Sequence, residues 1–338
     1  MKYTKRVARK IVIPIAMGLR ADKLVRCFGA SRILNVMYHG VVKKDSNYFS
    51  PRHLVVEQFE EHLKYYKKNF DVISVEEAFF NIQNGVKTKN NTITISFDDG
   101  YKNNHEVALP LLEKYNIPAT IFVSSLCASD GIDKCLWSEY IAALNYYHRD
   151  ELIRIGNYSF SNGYEPNKQI TLVDFIKQAS CRDRDAFIQN LVEEYDLRNK
   201  LDSIPDEVWK LMSKNELIEL SRSKNISIGS HGHLHYNFGA ISIDNARKDM
   251  LYSKEQLENT LDKKINMIAF PDGSYNDEVK NVAEKLGFSH QLAVTYRSST
   301  DHNDNRIMNR HGISSGTTFD SNMLYLNRVF KRKGIKII

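Results

Sequence analysis

The sequence predicts an α/β protein built on a parallel sheet, either closed into a barrel or doubly wound. Three observations carry that expectation. Short runs of strand-forming residues alternate with stretches of helical periodicity along most of the chain. Strand, helix and strand follow one another across 92–97, 109–115 and 118–123, the order of a βαβ unit with a right-handed crossover. The chemically distinctive residues stand where strands end, and sites in such folds lie at the carboxyl ends of strands.

Taken in order, 33–38 reads as a strand running into Tyr38-His39-Gly40, followed by a loop over 41–52. Val56, Phe59, Leu63 and Tyr66 recur at helical spacing. A short strand at 70–74 precedes a helix over 75–82 with Ser74 as its cap. The strand through Thr92, Ile93, Thr94, Ile95 and Phe97 ends in Asp98-Asp99-Gly100, where glycine permits a turn. The helical stretch through Leu109, Leu111 and Leu112 contains Pro110, so a bend or restart is expected there. From 137 to about 214 the pattern changes to a mainly helical insertion, with helices near 138–149, 172–178 and 185–195 and a polar, strand-poor stretch at 157–169. Helix 215–222 follows, and strand 226–230 runs into His231. The helix over 243–261 carries Ala246, Met250, Leu257 and Leu261 on one face. A strand at 265–270 ends in Pro271-Asp272-Gly273, a helix spans 276–286 with Gly287 as its stop, and a strand covers 289–294.

Composition excludes several classes. With 42% hydrophobic and 26% charged residues in 338, the chain reads as an ordinary globular protein. Its net charge of +6 gives no case for nucleic-acid binding. The 4 cysteines have no CxxC and no framework spacing, which points to free thiols. Basic residues flank the apolar run 11–19 near the start. That run is too short to span a bilayer, and Arg20 and Asp22 follow it with no small-residue cleavage site. Segment 1–30 is therefore expected to be an interfacial or core-packing helix. The apolar and basic residues of 323–338 repeat the theme, so either end is expected to make peripheral contact with an anionic membrane surface or to form a solvated basic face. The expected location is the cytoplasm or the inner face of the membrane.

Two constellations carry chemistry. Asp98 and Asp99 are adjacent carboxylates at a strand end, and strand alternation starts them in different directions. That suits a site where one binds a metal and the other accepts a proton; a solvated turn or helix cap is the plain alternative. Ser230-His231-Gly232-His233-Leu234-His235 places His231 and His235 four apart, the spacing of two ligands on one face of a helical turn. Gly232 stands where a zinc protease HExxH helix needs glutamate. Asp99 completes a two-histidine, one-carboxylate set, used by hydrolytic metals and also by non-haem iron oxygenases.

Together Ser96-Phe97-Asp98-Asp99-Gly100, His231-Gly232-His233-Leu234-His235 and Phe270-Pro271-Asp272-Gly273-Ser274-Tyr275, with the strand Pro118–Val123, resemble the polysaccharide deacetylase family from about Ile33 to about Ile313, less the insertion. The resemblance implies a distorted (β/α) barrel and metal-dependent removal of N- or O-acetyl groups from sugars. It implies Asp98 as general base and Asp99, His231 and His235 as ligands of a divalent ion, with Zn2+ expected. A backbone N–H near Pro271–Asp272 is expected to hold the oxyanion, with Gly273, Tyr275 and Arg310 also on the substrate side. The sequence departs from the family pattern in three places. Gly232 replaces Ser or Thr. Ala269 stands where the family places the arginine that orients the base, which makes Arg310 the candidate. No Leu-x-His follows late in the chain. Met37-Tyr38-His39 resembles the circularly permuted poly-N-acetylglucosamine deacetylase branch, so His39 is the expected acid, with His311 and His233 as competitors. The expected protein is a deacetylase over 31–322 that acts on an N-acetylated sugar of a surface polysaccharide or its precursor. The alternatives are hydrolysis of O-acetyl or other amide or ester groups, or an inactive carbohydrate-binding relative.

Overall fold

The computed structural model describes residues 33–87, 91–130 and 134–329. The basic segment 1–30 and the lysines and arginine of 331–336 lie outside the described residues.

Seven parallel strands close into a barrel. They are β1 (Ile33–Tyr38), β2 (Thr92–Phe97), β3 (Ala119–Val123), β4 (Ile226–Ser230), β5 (Met267–Ala269), β6 (His290–Ala293) and β7 (Ile307–Gly312). Each strand neighbours the next in sequence, and β1 closes the ring by pairing with both β2 and β7. The two-residue strand Asp71–Val72 pairs with β2 outside the ring. Every residue of β1, β2 and β3 is buried, as strands covered on both faces require.

Register sets the site. β1 and β2 pair residue for residue from Ile33↔Thr92 to Tyr38↔Phe97, and the Asp98 N–H donates to the Tyr38 carbonyl at 3.0 Å. His39 and Asp98 therefore leave the barrel at the same level. Ser230 pairs with Val123, and the His231 N–H donates to the Val123 carbonyl at 2.8 Å, so the histidine loop emerges beside the end of β3.

Local chemistry explains the helices. The Ser74 hydroxyl accepts from Glu77 N–H at the start of Val75–Asn84. The chain after Gly100 passes through a π-turn, Asn104–Ala108, before the α-helix Leu109–Tyr115 restarts with Pro110 in its first turn, where a missing N–H costs nothing. Helix Ile243–Leu261 buries Ala246, Met250, Leu257 and Leu261 against the barrel, together with Asp249 and Ser253.

Three expectations need correction. The stretch 157–169 is not strand-poor: Leu152–Ile155, Tyr158–Ser161, Tyr164–Glu165 and Ile170–Thr171 form a four-stranded antiparallel sheet beside the helices of the insertion. Asn162 and Gly163 both take positive φ (49° and 70°), the tight-hairpin turn that an Asn-Gly pair encodes. The boundary at 323 falls inside a helix, Phe319–Val329. That helix buries Met323, Leu324, Leu326 and Val329, so those apolar side chains serve the fold and not a membrane. Finally, 231–235 is not a helical turn. Gly232 and His235 both have positive φ, and the segment is an irregular loop.

Candidate active site

Asp98, Asp99 and His231 come from the ends of β2 and β4, and His235 from the loop that follows β4. The backbone of Asp99 sits at φ 76°, an uncommon conformation for a residue with a side chain. Strand alternation would send the two carboxylates apart. The left-handed residue instead turns both toward His231, whose Nε2 lies 3.9 Å from Asp98 Oδ2 and 3.5 Å from Asp99 Oδ1. The Asp99 carbonyl accepts the Ser124 N–H at 3.0 Å, which ties this turn to the end of β3.

Asp99, His231 and His235 each offer one ligand atom within 4.8 Å of the others, the only such group of histidine, cysteine or acidic residues among the described residues. His235 Nε2 is 3.3 Å from Asp99 Oδ1. Ligand atoms about 2.0–2.1 Å from one tetrahedral ion sit about 3.3 Å from each other, so these separations fit a shared cation. Asp99 Oδ1 is buried and meets no hydrogen-bond donor among the described residues. His231 Nδ1–H donates to the Ala269 carbonyl at 2.8 Å, which fixes the tautomer and leaves Nε2 as a lone-pair donor. The residues present fit a divalent ion.

The electrostatics run the same way. Burial pushes Asp99 up, but the close approach of His235, with His39 and His231, outweighs it and holds the carboxylate well below its usual range. Burial holds His231 below its ordinary value, against the pull of Asp98 and Asp99. Burial also lowers His235, but Asp99 and Asp272 leave it above its ordinary value.

Asp98 is 3% exposed and meets Arg310 in a two-pronged pair: Nη1 to Oδ1 at 2.5 Å and Nη2 to Oδ2 at 2.8 Å. Burial pushes Asp98 up, and Arg310, His231 and His39 together bring it below its ordinary value. Arg310 lies in β7, while Ala269 occupies the end of β5. Arg310 is 1% exposed, and two of its guanidinium nitrogens are taken up by Asp98. Its neighbour His311 alternates to the other face of β7, where its ring lies 6.5 Å from Tyr325.

His39 follows β1 and is half-buried. Its carbonyl accepts from Asn104 at 3.0 Å. Gly40 lets the chain pass Asn103 and His53, since a Cβ there would lie 2.4 Å from Asn103 Oδ1. His233 points away from the triad: Nδ1 meets the Ser125 hydroxyl at 2.8 Å and the ring lies 4.5 Å from Tyr252.

The third motif divides. Pro271, Asp272 and Gly273 form a tight turn after β5, and the Asp272 carboxylate pairs with Lys177 of the insertion. Tyr275 is packed into the fold. Its hydroxyl donates to Asp301 at 2.7 Å, its ring stacks on Phe270 at 5.1 Å, and it is 5% exposed.

Several residues that hold the site gave little signal in the sequence. The Arg184 Nη1–H and the Trp137 Nε1–H, both from the insertion, donate to the His235 carbonyl at 3.1 and 3.4 Å. Arg184 also stacks on the Tyr236 ring at 3.6 Å. The Asp249 carboxylate accepts the His233 and Leu234 N–H groups at 2.7 and 3.1 Å. A Cβ at Gly232 would lie 2.7 Å from Asp249 Oδ1, which explains why glycine replaces Ser or Thr here. Asp249 was legible as a carboxylate within an apolar helical stripe; Arg184 carried no comparable mark.

Residues 85–290 match the polysaccharide deacetylase family. A protein named for this family, YxkH of Bacillus subtilis (strain 168), is 22% identical over 261 residues, covering 77% of this chain and 63% of its own length. The chain thus spans under two thirds of that relative. Among solved structures, IcaB from Ammonifex degensii superposes with TM-score 0.56 at 14% identity, over 89% of this chain and 98% of that one. A de-N-acetylase from Aggregatibacter actinomycetemcomitans gives TM-score 0.54 at 17% identity, over 88% and 100%. These likenesses show that the deacetylase barrel is shared.

Proposed function

Because the chain belongs to the polysaccharide deacetylase family, we propose that it is a metal-dependent hydrolase that removes N-acetyl groups from a sugar of a surface polysaccharide or its precursor. The observation that carries this reading is a buried carboxylate, Asp98, clamped by Arg310 directly beside the Asp99–His231–His235 triad. A binding protein has no need of an ionised base next to three ligands.

Asp99, His231 and His235 are the proposed ligands of a divalent ion, zinc in this reading. Bound there, it supplies Lewis acidity that polarises the acetyl carbonyl and makes water more acidic. Asp98 takes the proton from the attacking water. Arg310 keeps Asp98 ionised and fixes both of its oxygens, so the carboxylate needs no reorientation as the proton moves. The Asp272 N–H is the proposed oxyanion donor: Pro271 has none, and the Gly273 N–H is already given to the Phe270 carbonyl at 2.9 Å. His39 protonates the leaving amine, a step that amide cleavage requires because an amine anion is a poor leaving group. Register with Asp98 favours His39, and the outward face of β7 disfavours His311.

The test compares His39→Ala with His311→Ala. His39→Ala keeps the metal and loses most hydrolysis of an N-acetylated sugar. It suffers less with an activated aryl acetate, whose leaving group needs no proton. The reverse pattern in the two variants would move the acid to His311.

Peripheral contact with an anionic membrane surface through residues 1–30 is part of the same proposal and rests on the sequence of that segment. Salt-sensitive co-sedimentation with anionic vesicles, lost on deleting 1–30, tests it. Among the described residues no helix is long and apolar enough to cross a membrane.

A further inference from the structure

The loop 43–52 after β1 and the first helix of the insertion, Trp137–Tyr147, leave between them a cavity of about 570 Å³. Tyr48 and Tyr146 stand in its wall with ring centroids 5.8 Å apart, and Phe49 meets Tyr146 edge-on at 5.9 Å. Tyr48 is 55% exposed and Tyr146 44% exposed. Asn145, Asn162, Arg149 and Arg52 share the lining, which contains no acidic residue. The cavity is joined to the active site by one chain of contacts. Arg52 pairs with Glu139, Glu139 accepts the Tyr101 hydroxyl at 2.7 Å, and Tyr101 lies two residues beyond Asp99. Both walls follow carboxyl ends of barrel strands, the same ends from which Asp98 and the ligand triad emerge.

We propose that this cavity is a second glycan subsite. It takes sugars of an N-acetylated polysaccharide beyond the residue whose acetyl group reaches Asp98, and so rests on the deacetylase reading. A pyranose ring offers C–H faces and a rim of hydroxyl and acetamido groups. Exposed tyrosine rings meet the faces, and side-chain amides and a guanidinium meet the rim. The charge adds a direction: Arg52 is already paired with Glu139, but Arg149 has no acidic partner in the lining, so it accepts neutral or anionic sugars and repels the ammonium group left by deacetylation. The subsite therefore prefers chain not yet processed.

The experiment measures binding of a fully acetylated N-acetylglucosamine hexamer to full-length, metal-loaded Asp98→Asn protein, which holds substrate without turnover. The double variant Tyr48→Ala/Tyr146→Ala on that background binds the hexamer about tenfold more weakly. Tyr164→Ala, an exposed tyrosine of the insertion that does not line the cavity, binds it as before. The fully deacetylated hexamer binds more weakly than the acetylated one, and the difference shrinks when Arg149→Ala is added. Equal hexamer affinity with and without the two tyrosines, or no hexamer binding at all, overturns the subsite. Acetate release by the wild-type protein reads the underlying activity separately: tyrosine-dependent binding without any release would keep the subsite and sink deacetylation.

Discussion

Arg310 of β7 and Asp98 at the end of β2 are held together by two parallel hydrogen bonds, at 2.5 and 2.8 Å, with both side chains out of water. Neither strand touches the other in the sheet order; β1 lies between them. The barrel supplies from a distant strand the cation that the third motif lacks at Ala269. Removing one partner of a buried ion pair leaves the other as an uncompensated charge, which typically costs about 3–5 kcal/mol.

Arg310→Met therefore destabilises the protein by roughly that amount and raises the pKa of Asp98, so turnover at neutral pH falls as well. The double variant Arg310→Met/Asp98→Asn recovers much of the stability, since no charge remains buried, but none of the activity. Urea unfolding of the four proteins of this cycle checks both statements. A single variant as stable as the wild type would mean that the pair contributes nothing.

His235 keeps its left-handed backbone while its carbonyl receives hydrogen bonds from Arg184 and Trp137. Groups that orient a metal ligand typically change affinity by about 10–100-fold when removed. Arg184→Ala should weaken metal binding in that range, as read by competition with a chromophoric chelator, with Arg184→Lys intermediate. Unchanged affinity in Arg184→Ala would show that the loop holds His235 unaided.

His62 is buried, receives or gives one hydrogen bond with Tyr38 at 2.9 Å, and has its pKa pushed down to about 3 by burial. The unfolded chain binds a proton near pH 6.5 that the folded protein refuses. Stability therefore falls as pH drops from about 6.5 toward 3, by up to about 1.4 kcal/mol per pH unit, and levels off below. His53, also pushed down to about 3 by burial, acts in the same direction. Chemical denaturation across pH 4–8 should show a shallower acid slope for His62→Gln than for the wild type. An identical slope would place the proton uptake elsewhere.

Much of this arrangement was readable from the chain. Apolar runs ending in Asp98, His231 and Pro271 marked strand ends, because a barrel strand is covered on both faces and its polar residues gather where it stops. Helix 243–261 was legible to the residue from its stripe, and the Ser242 hydroxyl caps it by accepting from the Asn245 N–H. The convergence of Asp98 and Asp99 was not, since it depends on one positive φ that aspartate rarely adopts. Nor was the histidine loop: a four-residue spacing reads as a helical turn, but Gly232 and His235 bend the chain instead, and Asp249, from a later helix, holds the bend. The small sheet of the insertion was hidden because its strands are short and half-exposed, although Asn162-Gly163 announced its turn. The contacts of Arg184 and Lys177 are tertiary, and spacing along the chain carries no trace of them.

Acetate release from N-acetylglucosamine oligomers, measured before and after chelation and again on restoring zinc, tests the central claim most directly. The account predicts release that stops on chelation, returns with zinc, and stays lost in His235→Ala at any zinc concentration. Release that continues undiminished after exhaustive chelation, or that is normal in His235→Ala, would contradict it.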